Sequence, residues 1–380
     1  MKRIAVVSPF PLFPDNGGNR VRALGMIRAL QDEGHRISFI LLPSRRMGDF
    51  DYKAHIAFFG NDFHLLERSF GAQILYYAKR VAYRAYRIAT GCVHQISDVD
   101  EVYYAGFTSQ IERIDKGNSF DAVIVQYVHF SKAFSGFSQA LKFIDTHDSF
   151  SGQISSQEEV RGFLRADHLI AIQEQEAELF KKQLSSAPGN IPSISIVSHI
   201  IQSLRNVEPQ SHSGAVFLGS DFEQNNLSLR WFVDEVLPRI RELLPSFQLY
   251  VVGSVGNRIE EQEGITKCGY VEDVTDVLND APILVNPIVR GTGVKIKLLE
   301  AWGMGVPVVS TELGVKGIPA KFLSGTLVVS DGNAEAFAEA VTRLMSNHLF
   351  WHEKAQLNRN IRELWNQEQV SSLAELMSDH

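Results

Sequence analysis

Cysteine is nearly absent from this chain. The two residues, Cys92 and Cys268, stand far apart without a neighbour at metal-ligand spacing. That excludes a disulfide scaffold and a Cys/His zinc site, and it fits a reducing cytoplasm. Long apolar runs are missing as well: none reaches the roughly 18 residues that a membrane-spanning helix needs, so a spanning topology is excluded. The first apolar stretch, residues 4–13, contains Pro9 and Pro11 and has no small-residue cleavage pattern after it; it reads as the start of a mature chain and not as a signal peptide. Positive charge is not in excess. Lys and Arg number 37 against 44 Asp and Glu, a net charge of -7. A nucleic-acid-binding protein would carry a basic domain, so nucleic acid is not an expected partner. No period of 20 to 50 residues recurs.

What is present is an ordinary globular composition, 44% hydrophobic with mean hydropathy -0.07. A length of 380 residues suits two domains of roughly 150 to 200 residues each. Short β-branched runs alternate with helix-length amphipathic stretches, the pattern of parallel sheets covered by helices. Strands are expected at residues 3–8, 37–42, 122–125, 142–145, 168–172 and 194–197. After a Pro- and Ser-rich boundary the pattern restarts at 215–218, 248–252, 283–285 and 306–310. Helices are expected from near Asn19, over 227–244 and 294–302, and over 334–345 and 349–377. The domains are therefore drawn as 1–199 and 214–360, with a linker at 200–213.

In such sheets, ligands bind beyond the carboxyl ends of strands and at helix N-termini. Three loops stand there. The first follows the first strand and opens the first helix: Gly17 and Gly18 permit close backbone approach, and Arg20 and Arg22 add positive charge; the alternative is a plain βα turn with solvated arginines. The second holds Arg290, Gly291, Thr292, Gly293, Val294, Lys295, Lys297 and Glu300. Cations in a first helical turn oppose the macrodipole unless an anion is bound, and a diphosphate resolves the conflict. Glu300 lies where a carboxylate can take both hydroxyls of a ribose. The alternative is a snorkelling lysine pair with Glu300 bound to Lys297. The third is Asp145-Thr146-His147-Asp148, where His147 is a general base or a donor to a sugar hydroxyl with its ring held by the flanking carboxylates, or else a structural residue capping the next helix.

The loop with Gly17-Gly18, the stretches Phe217-Leu218-Gly219-Ser220 and Val251-Val252-Gly253, and above all the run from Gly291 to Thr311 resemble the family 4 retaining glycosyltransferases (group 1 glycosyltransferases) of the GT-B fold. The resemblance implies an α/β protein of two Rossmann-like, doubly wound domains facing across a cleft, with a C-terminal helix, residues 361–380, returning to the first domain. It implies transfer of a sugar from a nucleotide-diphosphate sugar to a hydroxyl of a glycan or lipid-linked acceptor, in bacterial surface-polysaccharide assembly; no metal or other cofactor is expected. By position, Glu300 matches the ribose-binding acid, and the loop of Gly291 to Val294 lies beside donor sugar and diphosphate. Gly269, Tyr270 and Val271 match the segment that reads the base. His147 matches the first-domain histidine beside the donor sugar, with Lys295 and Lys297 offsetting the leaving diphosphate's charge.

Two departures from the family pattern stand out. Thr292 occupies the place of a carboxylate that grips donor hydroxyls, and the loop after Gly219 is acidic and amide-rich where the family carries a basic residue. A nucleotide-sugar epimerase on the same fold and a catalytically inactive GT-B binding protein therefore remain open readings. Asp49-Phe50-Asp51 and Asp98-Val99-Asp100 spell a metal-binding motif of another fold, and no function is assigned to them.

Between Glu67 and Asp98 no acidic residue occurs, while Arg68, Lys79, Arg80, Arg84 and Arg87 do. Ile74, Ala78, Val81, Ala85 and Ile88 repeat at helical spacing. This is a basic amphipathic helix, either a solvated outer helix or one that meets an anionic membrane surface on its cytoplasmic side.

Overall fold

The computed structural model describes residues 1–15, 17–43, 49–68, 70–91, 98–150, 152–202, 205–291 and 293–378; Thr292 and Cys92 fall outside them. The chain divides into two compact units, Met1–Ile200 with Gln369–His380, and Ile201–Glu368.

The first unit is built on β1 (Arg3–Ser8), β2 (Arg36–Leu41), β3 (Phe63–Leu65), β4 (Ala122–Gln126), β5 (Leu141–Asp145), β6 (His168–Ala171) and β7 (Ser193–Ile196). They form one parallel sheet in the order β3-β2-β1-β4-β5-β6-β7. Alternate residues point to opposite faces, so a strand covered on both sides must be apolar throughout. Ile4 and Val6 face one core with Leu24 and Ile27 of helix α1 (Gly18–Asp32), while Ala5 and Val7 face the other with Phe107 and Ile111 of a later helix. The remaining helices here are α2 (Tyr52–Phe59), α3 (Phe70–Thr90), α4 (Gly106–Asn118), α5 (Ser156–Phe163) and α6 (Glu174–Leu184).

The second unit repeats the plan. Strands β8 (Gly214–Leu218), β9 (Gln248–Val252), β10 (Ile265–Gly269), β11 (Leu284–Asn286), β12 (Val308–Thr311) and β13 (Thr326–Val329) pair in the order β10-β9-β8-β11-β12-β13. Both sheets thus begin 3-2-1-4 within their unit, the doubly wound order. Helices α7 (Glu223–Trp231), α8 (Leu237–Leu243) and α11 (Ala334–Ser346) cover one face. Helices α9 (Val274–Asp280) and α10 (Ile296–Gly303) cover the other, where Leu278, Leu298 and Trp302 are buried. The expected helix over 227–244 starts earlier, at Glu223, and is interrupted by a π-helical turn, Phe232–Val236. The stretch 205–213 lies along this unit, Val207 N–H donating to the Met304 carbonyl and Gln210 N–H to that of Asn279.

The final helix, α12 (His348–Ser378), serves both units in turn. Trp351, Ile361 and Trp365 are buried in cores of the second. Leu373, Leu376 and Met377 are buried in the first, where Gln369 Oε1 also accepts from the Ser198 N–H at 2.7 Å. The last turns of the chain thus return to the first unit.

Candidate functional site

In each sheet the strand order reverses beside its first strand, and the crevice at such a switch point is where ligands bind in open α/β sheets. In the second unit this point lies between β8 and β11. The strand ends beside it are drawn together through glycine: Gly219 N–H donates to the Val252 carbonyl at 3.0 Å and Gly253 N–H to that of Gly269 at 2.6 Å. Gly253 has φ +97°, and a Cβ there would stand 2.2 Å from the Gly219 oxygen, so no side chain fits. The result is a backbone platform at the ends of β8, β9 and β10. At its rim Tyr270 is 74% exposed, while Val271 packs into the core.

The loop after β11 delivers the cations. It is tethered from below: Thr311 Oγ1 donates to the Ile288 carbonyl at 2.8 Å, and Asn286 Nδ2 to Ser310 Oγ at 2.9 Å. Gly291 (φ +142°) and Gly293 (φ +75°) then turn the chain into α10. Lys295 is the N-cap of that helix and its ammonium donates to the Gly293 carbonyl at 2.6 Å. Lys297 reaches back to β8, donating to the Leu218 carbonyl at 2.9 Å and to Asn225 Oδ1 at 3.3 Å, with the Phe217 ring centroid 5.0 Å away. Burial pushes its pKa down to about 8; the charge of Lys295 acts in the same direction and that of Glu300 against it. Arg290 is exposed, 3.9 Å from Glu223.

The loop after β8 carries no cation of its own, yet Arg258 from beyond β9 supplies one, its Nε 2.8 and 2.9 Å from the two oxygens of Asp221. These two residues, with Glu223, Asn226, Leu227 and Arg230, line an open depression of about 380 Å³. Neither Arg258 nor Asn225 was legible in the sequence: both lie in irregular or amide-rich segments, and only the strand order brings them to this edge.

In the first unit, Gly17 caps α1 with extended backbone and Gly18 is the first helical residue. The positive charge expected from Arg20 and Arg22 is not presented to solvent. Arg20 is buried and donates to the carbonyls of Pro14 at 2.7 Å and Asp49 at 2.9 Å. Arg22, 1% exposed, donates to Asp145 Oδ1 through Nε at 2.9 Å and Nη2 at 2.6 Å. Removing one partner of such a buried pair costs about 3–5 kcal/mol, because the other charge is left uncompensated. Both arginines are buried although they point to different sides of α1, because the helix is covered nearly all round, which helical spacing alone did not reveal.

His147 follows β5 with φ +60°, a left-handed conformation. Its Nε2 lies 2.5 Å from Gln126 Oε1 and 3.3 Å from Asp145 Oδ2. Phe10 meets the ring edge-on at 5.7 Å, and Tyr127 packs at 4.5 Å between centroids. Burial lowers the imidazole pKa to about 4, with the attraction of Asp145 opposing and the repulsion of Arg22 adding. The alternative role as a cap for the following helix does not hold, since Ser155 caps α5. Two positions beyond β6 and β7 come Gln173 and Ser198, then His199, all buried. Glu176 of α6 stands nearby, its pKa raised to about 7 by burial and by Asp148.

The arginines of α3 make contacts of their own. The helix turns Tyr76 inward, stacked 4.2 Å from Tyr104, and Tyr83, whose hydroxyl donates to Asp98 at 2.9 Å. Arg87 is paired with buried Glu101 at 2.9 Å, so it does not share an outer face with Arg80 and Arg84. Arg80 donates to the Tyr76 hydroxyl at 3.3 Å. The apolar stripe points outward: Ile74, Val81 and Ile88 are 56, 69 and 76% exposed. Both carboxylates of Asp98-Val99-Asp100 are taken up structurally, by Arg161 at 2.6 Å and Arg165 at 2.6 Å. Asp51 caps α2, accepting from Ala54 N–H at 3.0 Å.

Comparison with known proteins bears on both units. Residues 213–347 match the family model described as Glycosyl transferases group 1. A Klebsiella pneumoniae protein described as an uncharacterized 44.6 kDa protein in the cps region is 30% identical over 115 residues, 27% of this chain and 30% of that protein. The matched stretch therefore spans less than a third of that relative. Over its full length the chain is similar to TarM of S. aureus, with TM-score 0.70 at 12% identity, covering 100% of this chain and 99% of TarM. It is also similar to Anabaena HepE, solved with UDP and glucose, with TM-score 0.64 at 11% identity, covering 100% and 99%. These likenesses show the fold. The chain has the two-domain GT-B architecture, with the C-terminal helix carried back to the first domain.

Proposed function

We propose that the protein is a glycosyltransferase that moves a sugar from a nucleotide-diphosphate donor to a hydroxyl of a glycan or lipid-linked acceptor, with retention of configuration and without a metal. The observation that carries this reading is Lys297, an ammonium buried at a helix N-terminus beside a glycine platform and held, among the described residues, by carbonyl oxygens. A diphosphate is the ligand whose charge fits that place, because the helix dipole and both lysines favour an anion there. Glu300 takes the ribose hydroxyls, and the segment Gly269, Tyr270, Val271 takes the base. HepE was solved with UDP, which supports a nucleotide of this kind.

In the proposed route, the bond from the anomeric carbon to the diphosphate oxygen breaks while the acceptor oxygen bonds to that carbon on the same face. The acceptor's proton passes to the leaving diphosphate, whose developing charge Lys295, Lys297 and the start of α10 stabilise. His147 positions the donor sugar. The exposed apolar stripe of α3, with Lys79, Arg80 and Arg84 and without an acidic residue, suits docking on an anionic membrane surface that presents a lipid-linked acceptor. No helix among the described residues is long and apolar enough to cross a membrane. The relative in a cps region fits a place in surface-polysaccharide assembly.

Calorimetric titration with UDP, GDP, dTDP and ADP tests the reading. One of these should bind, and far more tightly than its nucleoside; no affinity for any of the four removes the donor site.

A further inference from the structure

His147 is clamped from three sides by groups that nothing above assigns to the reaction. We propose that Asp145 and Gln126, with Arg22 holding Asp145, lock His147 as the Nε2–H tautomer, so that the nitrogen offered to a ligand is Nδ1, an acceptor for a sugar hydroxyl. Arg22 and Asp145 are positioning residues; His147 alone touches the ligand. The proposal rests on the reading of the first unit as the place where the donor sugar meets His147.

The argument runs from what each atom can do. Arg22 donates to Asp145 Oδ1 from two nitrogens and to Oδ2 from Nε at 3.2 Å. The carboxylate is therefore ionised, fixed in orientation and able only to accept. Its Oδ2 stands 3.3 Å from His147 Nε2, and Gln126 Oε1 stands 2.5 Å from the same nitrogen. Two acceptors converge on Nε2, so Nε2 carries the proton. The carboxylate can only accept, so Asp145 Oδ2 favours a proton on Nε2 whichever way the Gln126 amide is turned, and the oxygen of Gln126 facing Nε2 is the orientation that agrees with it. A neutral imidazole has one N–H, which leaves Nδ1 with a lone pair.

The ring stays neutral. It is 7% exposed, and of the charged groups around it Asp145 favours protonation while Arg22 disfavours it; His199 is buried and itself held neutral. The ring is packed as well, by Phe10 at its edge and by Tyr127. Among the described residues Nδ1 has no hydrogen-bond partner. A histidine built in this way accepts from a hydroxyl or an amide N–H; it does not donate to a sugar oxygen, one of the two roles, base or donor, that its position in the sequence had suggested. The donor must then carry a hydrogen-bond donor where it faces His147, and a deoxy or O-methyl sugar at that position is discriminated against.

The test is the ¹⁵N spectrum of the intact protein labelled in histidine, with the His147 signals identified by their loss in His147→Gln. The expected result is a protonated Nε2 and a bare Nδ1, unchanged from pH 8 to pH 5.5. A protonated Nδ1, or an imidazolium at pH 7, overturns the proposal. Asp145→Asn should let the proton distribute over both nitrogens. Because that change leaves Arg22 buried without its partner and threatens folding, Gln126→Met is the companion variant, expected to raise the Nδ1–H population without stranding a charge. An unchanged tautomer in both folded variants also overturns the lock. For the ligand, donor analogues each lacking one hydroxyl are compared by affinity: one should lose about tenfold against wild type and nothing against His147→Ala. Equal affinities across the analogues remove the acceptor role. If no nucleotide sugar binds at all, the transferase reading falls, and the spectrum still decides the tautomer.

Discussion

Lys297, the second residue of α10, donates to the main-chain oxygen of Leu218, the last residue of β8, at 2.9 Å. The bond joins the two strand-end loops that flank the switch point of the second sheet, and it holds a cation against carbonyl oxygens, with Lys295 repelling it and Glu300 attracting it. An ammonium in that position has its pKa lowered to about 8 by burial and by Lys295. Much of the proposed chemistry follows from this contact.

A diphosphate beside Lys297 favours its charged form, so binding should raise the pKa and take up a proton. At pH 8.5, titration of UDP or the preferred nucleoside diphosphate in buffers of different ionisation heat should show that uptake, and affinity should fall as pH rises through about 8 and above. The nucleoside should show neither effect. Buffer-independent heat across this range contradicts the role.

Glu300→Gln should weaken the nucleoside diphosphate and the free nucleoside alike, since both keep the ribose. A hydrogen bond to a charged group contributes about 1.5–3 kcal/mol, or roughly 10- to 150-fold in affinity. Unchanged affinity in a folded variant assigns Glu300 elsewhere.

For α3, sedimentation with vesicles containing anionic lipid should show binding that weakens as salt screens charge over about 8 Å or less. Reversing Arg80 and Arg84, or replacing the exposed Val81 and Ile88 by serine, should abolish it and leave nucleotide affinity intact. Arg87 is excluded from the set because its pairing with Glu101 is structural. Equal sedimentation of variant and wild type leaves α3 a solvated helix.

The first unit should lose stability in mild acid. His129 and His147 have pKa values lowered to about 4 and His199 lies well below its ordinary value, all through burial. Between about pH 6.5 and 4 the unfolded chain binds more protons than the folded one, so stability falls as pH falls. Glu176 acts in the opposite sense, since its raised pKa removes stability as pH rises towards about 7. Denaturant melts at pH 7 and pH 5 should show the midpoint lower at pH 5, and Glu176→Gln should raise it at pH 8. A midpoint independent of pH would mean that these histidines are hydrated.

The interior strands were legible because they are covered on both faces: β1 and β9 appear where their apolar runs end. The edge strand β13 carries a comparable run, Leu327-Val328-Val329, and was missed all the same; the three-residue β3 and the half-exposed β10 carry none and were not placed from pattern alone. The same contrast holds at the candidate site. The stretch from Gly291 to Glu300 is contiguous, so its glycines and lysines announce a loop and a helix start together. The groups around His147 come from α1, β4 and β5, with Arg22 and Asp145 separated by 123 residues. Helical spacing put Arg22 on α1 but could not say that its side of the helix, turned away from that of Leu24, meets a buried carboxylate.

The most direct measurement follows both halves of the reaction at once. The protein is incubated with labelled nucleotide sugars and a lipid extract as acceptor, and released nucleoside diphosphate is counted against sugar transferred. The account predicts one-to-one release and transfer for one donor, with Lys297→Ala slower by about a hundredfold or more. Donor converted to an epimer without transfer, or a bound nucleotide with no turnover of any donor, would contradict it.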